Sequence, residues 1–339
     1  MPRYLMLRTP SANRVYAGES GPLTAAELEI TAPFATVIAE ETLAGVGYLS
    51  FDAPELNEGQ LHAVARQSAA FALFADESQP EGSAMLRPVA LPQPFLLDDD
   101  LVTMPKYQGK TNEQFTHLLL GVTLAAVTRE PTGPRQVLDP LAGRGTTLST
   151  ALMLGHDAYG VEGDAKAFEL MASFYKTYLR RGRIKHTADV KPVRREGKTV
   201  GKRFDAEITT AEGKRVITAF TGDTRDSAAL FGKKRFDAIV ADAPYGVAHG
   251  AATDVRGVSG KRDRSPAGLL KEAIPVWAGQ LMHGGALGLS WNTFGLARED
   301  LAALLAANGL TVQEGGPWER FAHRVDSAIK RDLIVAVMP

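Results

Sequence analysis

No cysteine occurs among the 339 residues, which excludes disulfides, thiolate nucleophiles and thiolate metal sites. A dominant charge sign is missing too: 38 Lys and Arg face 39 Asp and Glu. Bulk charge therefore announces no polyanionic partner, and any nucleic-acid surface has to be local. There is no long apolar run, and the opening MPRYLMLRTPSANRVY lacks the layout of a signal peptide, so the expectation is a soluble cytoplasmic protein with no membrane partner. What is present, 45% hydrophobic residues, suffices for a sizeable core, and the length leaves room for two domains.

The chain is organised around Gln136 to Asp164, QVLDPLAGRGTTLSTALMLGHDAYGVEGD. Val137 and Leu138 end an apolar strand, Thr146 to Leu154 has helical spacing, and Ala158 to Val161 is a short strand closed by Glu162. That is one βαβ unit. Gly143 and Gly145 let the backbone turn sharply and approach a ligand at the carboxyl end of the first strand. Glu162 ends the second strand, where its carboxylate can accept two hydrogen bonds from ribose hydroxyls. Leu148 stands where a dinucleotide fingerprint has its third glycine, and the GKT runs at Gly109 and Gly197 have Met104 and Pro192 where a P-loop has its first. Dinucleotides and nucleoside triphosphates therefore fit poorly.

Ahead of this unit, the strand RYLMLR, a helix after SGPL that Thr24 could cap, β-rich runs at Ala35 and Gly45, the helix NEGQLHAVARQSAA and the strand FALFAD give the order βαββαβ. This predicts a small α+β ferredoxin-like domain over residues 1–79, a folding module or an RNA platform. Residues 80–105 shift to proline and a DDD run and read as a linker with one strand. Asp98 to Asp100 lack the spread that a cation needs. Thr111 is the expected N-cap of the apolar helix that follows.

Beyond Glu162, the aromatics Phe168, Phe174, Tyr175 and Tyr178 occupy the apolar positions of a helix and read as core. Between Lys176 and Arg215 stand 13 Lys or Arg against 5 Asp or Glu, a basic hairpin insertion around residues 190–216 with phosphate contact as its expected use. Val216 to Asp223 and Phe236 to Ala241 predict two further strands. The second enters Asp242-Ala243-Pro244-Tyr245, followed by a lid-like loop, Gly246 to Arg264, with His249 and Arg256. Alternating elements then complete a doubly wound α/β domain over residues 106–339, closed by FAHRV and KRDLIVAVM as an antiparallel pair.

DPLAGRGT at Asp139 to Thr146, followed on a later strand by DAPY at Asp242 to Tyr245, resembles the motif pair of S-adenosylmethionine-dependent methyltransferases that modify exocyclic amines of nucleobases. With YQGKTN before them and HRV and KRDLIV after, Lys106 to Pro339 is similar to the tRNA guanine-N2 methyltransferases of the THUMP-associated type. The N-terminal region is shortened, and Ala243 replaces a proline. The resemblance implies a class I Rossmann-like methyltransferase fold. It also implies methyl transfer from S-adenosylmethionine, leaving S-adenosylhomocysteine, to the N2 amine of a guanosine in RNA, above all tRNA, without a metal.

By that resemblance Asp139, Gly143 and Gly145 would hold the methionine part of the donor, Glu162 the ribose and Asp223 the adenine. Thr111, Leu141, Thr146, Gly163, Thr224 and Asp242 would complete the donor site. Asp242, Pro244 and Tyr245 would receive the base: an exocyclic amine has a delocalised lone pair, and a carboxylate that accepts its hydrogens also offsets the charge growing on nitrogen. Tyr245 could stack on the base. Lys106, Asn112, Arg194, Arg195, Lys202, Arg203 and His249 would contact RNA. The same D-x-P-Y chemistry serves DNA adenine or cytosine amino-methyltransferases, and a non-catalytic RNA-binding module on this fold is a third reading.

Overall fold

The structure, a computed structural model, describes residues 1–11, 13–79, 84–107, 109–195, 197–244 and 266–339, with Arg195 described in its backbone alone. It divides into two compact units, Met1–Pro94 with Glu314–Arg331, and Phe95–Gln313 with Asp332–Pro339.

The first unit begins β1 (Arg3–Arg8), α1 (Arg14–Thr31), β2 (Thr36–Leu43), β3 (Val46–Asp52), α2 (Glu58–Ala65), β4 (Ala70–Asp76) and β5 (Leu86–Val89). Its strands pair antiparallel in the order β2-β3-β1-β4-β5, the expected ferredoxin-like sheet with one strand added at an edge. Period-two alternation places Tyr4 and Met6, Leu49 and Phe51, and Leu73 and Ala75 in one cluster, to which α1 contributes Leu28 and α2 contributes Val64. The stretch expected to be a linker with one strand supplies that strand as β5, and its Pro88 is tolerated because β5 is an edge strand.

Thr24 does not cap a helix, and SGPL is not a turn. α1 starts at Arg14, where Asn13 Oδ1 accepts from Val15 and Tyr16 N–H at 3.0 and 3.1 Å, and it runs through Pro22. Thr24 lies inside it, donating to the Ser20 carbonyl at 2.6 Å. An interior proline costs about 3 kcal/mol; burial of Leu23, Ala26 and Leu28 offsets it.

The second unit opens with α3 (Asp100–Thr103), α4 (Glu113–Ala125), β6 (Gln136–Asp139), α5 (Thr146–Met153), β7 (Asp157–Glu162) and α6 (Ala165–Arg181). It continues with β8 (His186–Arg195), β9 (Lys198–Thr210), β10 (Gly213–Thr221), α7 (Ser227–Phe231), β11 (Phe236–Asp242) and α8 (Pro266–Ala278). Then come β12 (Leu281–Asn292), α9 (Arg298–Ala307), β13 (Thr311–Val312), β14 (His323–Arg324) and β15 (Lys330–Val337).

The larger sheet runs β13-β15-β12-β11-β6-β7-β10-β9-β8. From β10 through β7, β6 and β11 to β12 the neighbours are parallel, and β13 is antiparallel to β15. From β6 the chain winds outward through β7 to β10, then returns to lay β11 and β12 on the other side. This is the doubly wound, class I Rossmann-like arrangement, and the order reverses between β6 and β11, where such sheets open a crevice. β11 is buried from Phe236 to Ala241, as a strand covered on both faces must be, and packs with Leu138, Trp277, Leu287, Leu289 and Trp291.

The basic run does more than form a hairpin. β8 pairs with β9 and β9 with β10, all antiparallel, so the run widens the main sheet by two strands, anchored by the alternate buried residues Phe204, Ala206 and Ile208. The expected closing pair is short: β14 meets β15 only at His323↔Arg331 and Arg324↔Lys330. These four residues belong to the first unit.

Candidate active site

β6 ends at Asp139, and the chain turns through Gly143 and Gly145 before α5 starts at Thr146. The two glycines have φ of +53° and +86°, the left-handed region that a Cβ disfavours. Carboxylates hold this turn from two strands. Asp139 Oδ1 accepts from Leu141 N–H at 2.9 Å. Glu162 Oε2 accepts from Gly143 N–H at 2.6 Å, and its Oε1 from Asp164 N–H at 2.7 Å. A Cβ on Gly145 would stand 3.0 Å from Met171 Sδ and 3.1 Å from the Tyr175 hydroxyl, whereas one on Gly143 would meet nothing within 4 Å. Open space therefore lies at Gly143.

Asp139, Glu162 and Asp242 end the neighbouring strands β6, β7 and β11. Burial pushes the Asp139 carboxyl up to about 7, the bond from Leu141 N–H opposes this, and the nearby Glu162 and Asp242 add to the rise. Burial also raises Glu162. A cation brought among these groups would favour their ionised forms.

Asp242 is held by two hydroxyls from distant parts of the chain. Thr111 Oγ1 donates to Oδ2 at 2.5 Å, and Ser290 Oγ donates to Oδ1. Ser290 sits opposite Asp242 in the parallel register of β11 and β12, and its carbonyl accepts from Ala243 N–H at 2.8 Å. A proline at position 243 could not donate that bond, so alanine at this place has a structural use. Ala243 is buried and Pro244 exposed. Tyr245, His249 and Arg256 lie outside the described residues.

Thr111 is not the cap of α4. Asn112 is, its Oδ1 accepting from Gln114 and Phe115 N–H at 2.8 and 3.1 Å; the cap places Thr111 one residue ahead of the helix, where it reaches Asp242. Asp223 Oδ1 accepts from Arg225 N–H at 2.9 Å, and Oδ2 from Arg225 Nη2 at 2.6 Å; the guanidinium holds its carboxyl below the usual range. Thr224 is buried and accepts from Trp277 Nε1 at 3.0 Å. Leu141 packs against the core cluster, while Gly163 and Lys106 are exposed. Arg194 is exposed on β8. Lys202 pairs with Glu169 at 2.6 Å and Arg203 with Asp205 at 2.8 Å. Adjacent residues of a strand point to opposite faces, so the expected RNA contacts at Lys202 and Arg203 do not share one surface.

Three residues at the site escaped sequence reasoning. Ser290 is one. The others are Tyr107, whose hydroxyl is 3.1 Å from Thr146 Oγ1, and Arg144, whose guanidinium lies 4.5 Å from the centre of the Tyr107 ring. Tyr107 thus covers the start of α5, and burial raises its phenol. Its only sequence cue was the YQGKTN run. Among the described residues no group of three or more His, Asp or Glu is arranged to hold a metal, and no helix is long and apolar enough to cross a membrane.

No known family model matches the sequence, and no curated protein matches it. Several solved structures are similar. TrmN from Thermus thermophilus is 14% identical, with 99% of this chain and 100% of that chain covered at a TM-score of 0.46. TehB from Haemophilus influenzae is 10% identical, with coverages of 89% and 84% and a TM-score of 0.41. Magnesium protoporphyrin IX methyltransferase (ChlM) from Synechocystis PCC 6803, with bound SAM, is 15% identical, with coverages of 69% and 87% and a TM-score of 0.39. These likenesses are distant, and no residue role passes from them to this chain.

Proposed function

We propose that this chain transfers a methyl group from S-adenosylmethionine to an exocyclic amine of a nucleobase in RNA, the N2 of a guanosine in tRNA. The observation that carries the reading is Asp242, fixed by Thr111 and Ser290 at the strand end beside the switch point, with the open glycine turn on the neighbouring strand.

The residues present fit the donor. The turn leaves space at Gly143, Glu162 ends the next strand as an acceptor for ribose hydroxyls, and the acidic strand ends suit a ligand carrying a sulfonium and an ammonium. When bound, S-adenosylmethionine supplies an electrophilic methyl group.

The chain's own groups do the rest. Each oxygen of an ionised carboxylate has about two acceptor sites. Asp242, oriented by Thr111 on one oxygen and by Ser290 on the other, presents its carboxylate as an acceptor for an amine hydrogen. Accepting that hydrogen turns the amine and offsets the positive charge that grows on nitrogen as the new bond forms. The hydroxyl pair fixes the carboxylate in advance, so less reorganisation accompanies the step. A base within folded RNA has to be exposed or flipped to reach it.

The test is incubation with labelled donor and either total RNA or genomic DNA, followed by nucleoside mass spectrometry. N2-methylguanosine in RNA is the expected product. Label confined to DNA would reject the RNA reading, and full transfer by Asp242→Asn would reject the assigned chemistry.

A further inference from the structure

Two grooves flank the sheet extension, and they differ in charge. The first lies between α6 and the strands β8 and β9 and encloses about 560 Å³. Phe168 and Ala172 contribute its apolar lining, and Lys176 and Arg180 continue the same row at four-residue spacing along α6. His186 of β8 and Lys202 of β9 face them. Lys176, Arg180 and Lys202 stand here against a single carboxylate, Glu169, which lies 2.6 Å from Lys202 Nζ.

The second groove, about 400 Å³, is lined by Arg203 and Lys234 and, with equal number, by Asp205 and Glu207. Arg203 pairs with Asp205 at 2.8 Å, and Lys234 lies 4.1 Å from the centre of the Tyr159 ring. Its cations are already matched. Of the two grooves, only the first has positive charge in excess of its own acids.

We infer that this first groove binds the sugar–phosphate backbone of the RNA, a reading that rests on RNA being the substrate. Hydroxyls of Ser173 and Thr177 line it beside the cations, which suits phosphate and ribose oxygens and reads no base edge. One end reaches the functional edge of the sheet: Lys202 N–H donates to Thr221 Oγ1 at 2.7 Å, and Thr221 lies opposite Glu162 in the β10–β7 register. A backbone laid along α6 therefore leads toward the strand ends that carry Glu162 and Asp242.

The experiment compares the wild type with Lys176→Glu/Arg180→Glu and with Lys191→Glu/Lys214→Glu. The second pair makes the same charge change on exposed residues of β8 and β10 that do not line the groove. Affinity for total tRNA is measured by fluorescence anisotropy across a salt series, with S-adenosylhomocysteine binding by calorimetry confirming that each variant is folded. Loss of two phosphate contacts flattens the logarithmic salt slope by about 1.5–2 and lowers affinity roughly tenfold or more near 0.1 M salt. The expected result is that loss in the groove variant and less than about a twofold change in the other. Unchanged tRNA affinity in the groove variant, or an equal loss in both, overturns the groove. If the wild type methylates RNA while the groove variant binds it normally, only the groove falls; if the wild type neither binds nor methylates RNA, the RNA reading falls and the groove with it.

Discussion

Thr111 Oγ1 donates to Asp242 Oδ2 at 2.5 Å, joining the residue ahead of α4 to the end of β11 across 131 positions. With Ser290 on the other oxygen, the carboxylate is held in one orientation by groups that do not themselves react.

Removing either hydroxyl should therefore slow methyl transfer without unfolding the protein. A hydrogen bond to a charged group contributes about 1.5–3 kcal/mol, so Thr111→Ala and Ser290→Ala are each expected to lower the single-turnover rate about 10–100-fold. Thr111→Ser and Ser290→Thr keep the donor group and should recover most of it. Wild-type rates in both alanine variants would remove the hydroxyl pair from the mechanism.

The two glycines of the turn should fail in different ways. Alanine at either adopts a left-handed conformation at a cost of roughly 1–2 kcal/mol. At Gly145 the new methyl also crowds Met171 and Tyr175, whose hydroxyl is 2.8 Å from Ser149 Oγ, so Gly145→Ala should show the larger fall in thermal stability. At Gly143 the methyl enters open space, so Gly143→Ala should lose more donor affinity by calorimetry than stability. The opposite ranking would place the donor elsewhere.

Stability should fall as pH rises from about 4 to about 7. Burial lifts Asp139 from 3.8 to about 7, and likewise lifts Glu27 of the first unit from 4.5 to about 7. Glu27 accepts from Ser68 N–H at 2.9 Å and from Ser68 Oγ at 2.5 Å. Between the two values the folded chain binds more protons than the unfolded one, so the contribution is complete below the unfolded pKa and lost as pH rises through the folded one. Urea melts at pH 5 and pH 8 should show the difference, and Asp139→Asn with Glu27→Gln should flatten it. A stability that rises over this window would contradict the assignment.

Tyr107 should matter as a cover more than as a hydroxyl. Tyr107→Phe loses a bond to Thr146 but keeps the ring over which Arg144 lies, so donor affinity should change less than about threefold, within a typical net hydrogen-bond contribution. Tyr107→Ala removes the cation–π contact and uncovers the first turn of α5, and should weaken donor binding further. Equal calorimetric affinities for the two variants would refute the covering role.

The strand–turn–helix at Asp139 to Thr146, the Glu162 terminus and the succession of strands along the chain are legible in the sequence because each is written in a short span: apolar runs, paired glycines, an acid at the end. Ser290 was not, since a serine within ALGLSWN has no periodicity of its own and gains its partner only from the register of β12 on β11. Asn13 was a readable cap overshadowed by Pro22, whose presence argued for a turn until the buried face of α1 outweighed it. Lys202 and Arg203 are one patch when charge is counted along the chain, whereas the strand sends them to opposite sides.

The return of Glu314–Arg331 to the first unit has a consequence for synthesis. Ring contact between Tyr16 and His323, and the ion pair of Glu29 with Arg320, can form only after synthesis has passed through the intervening second unit. The first unit thus stays incomplete until the long middle of the second has been made, and α1 waits through that elongation without its late partners. A premature stop after Gln313 would leave that wait permanent, a lesion felt at α1 although the missing codons lie far downstream of it.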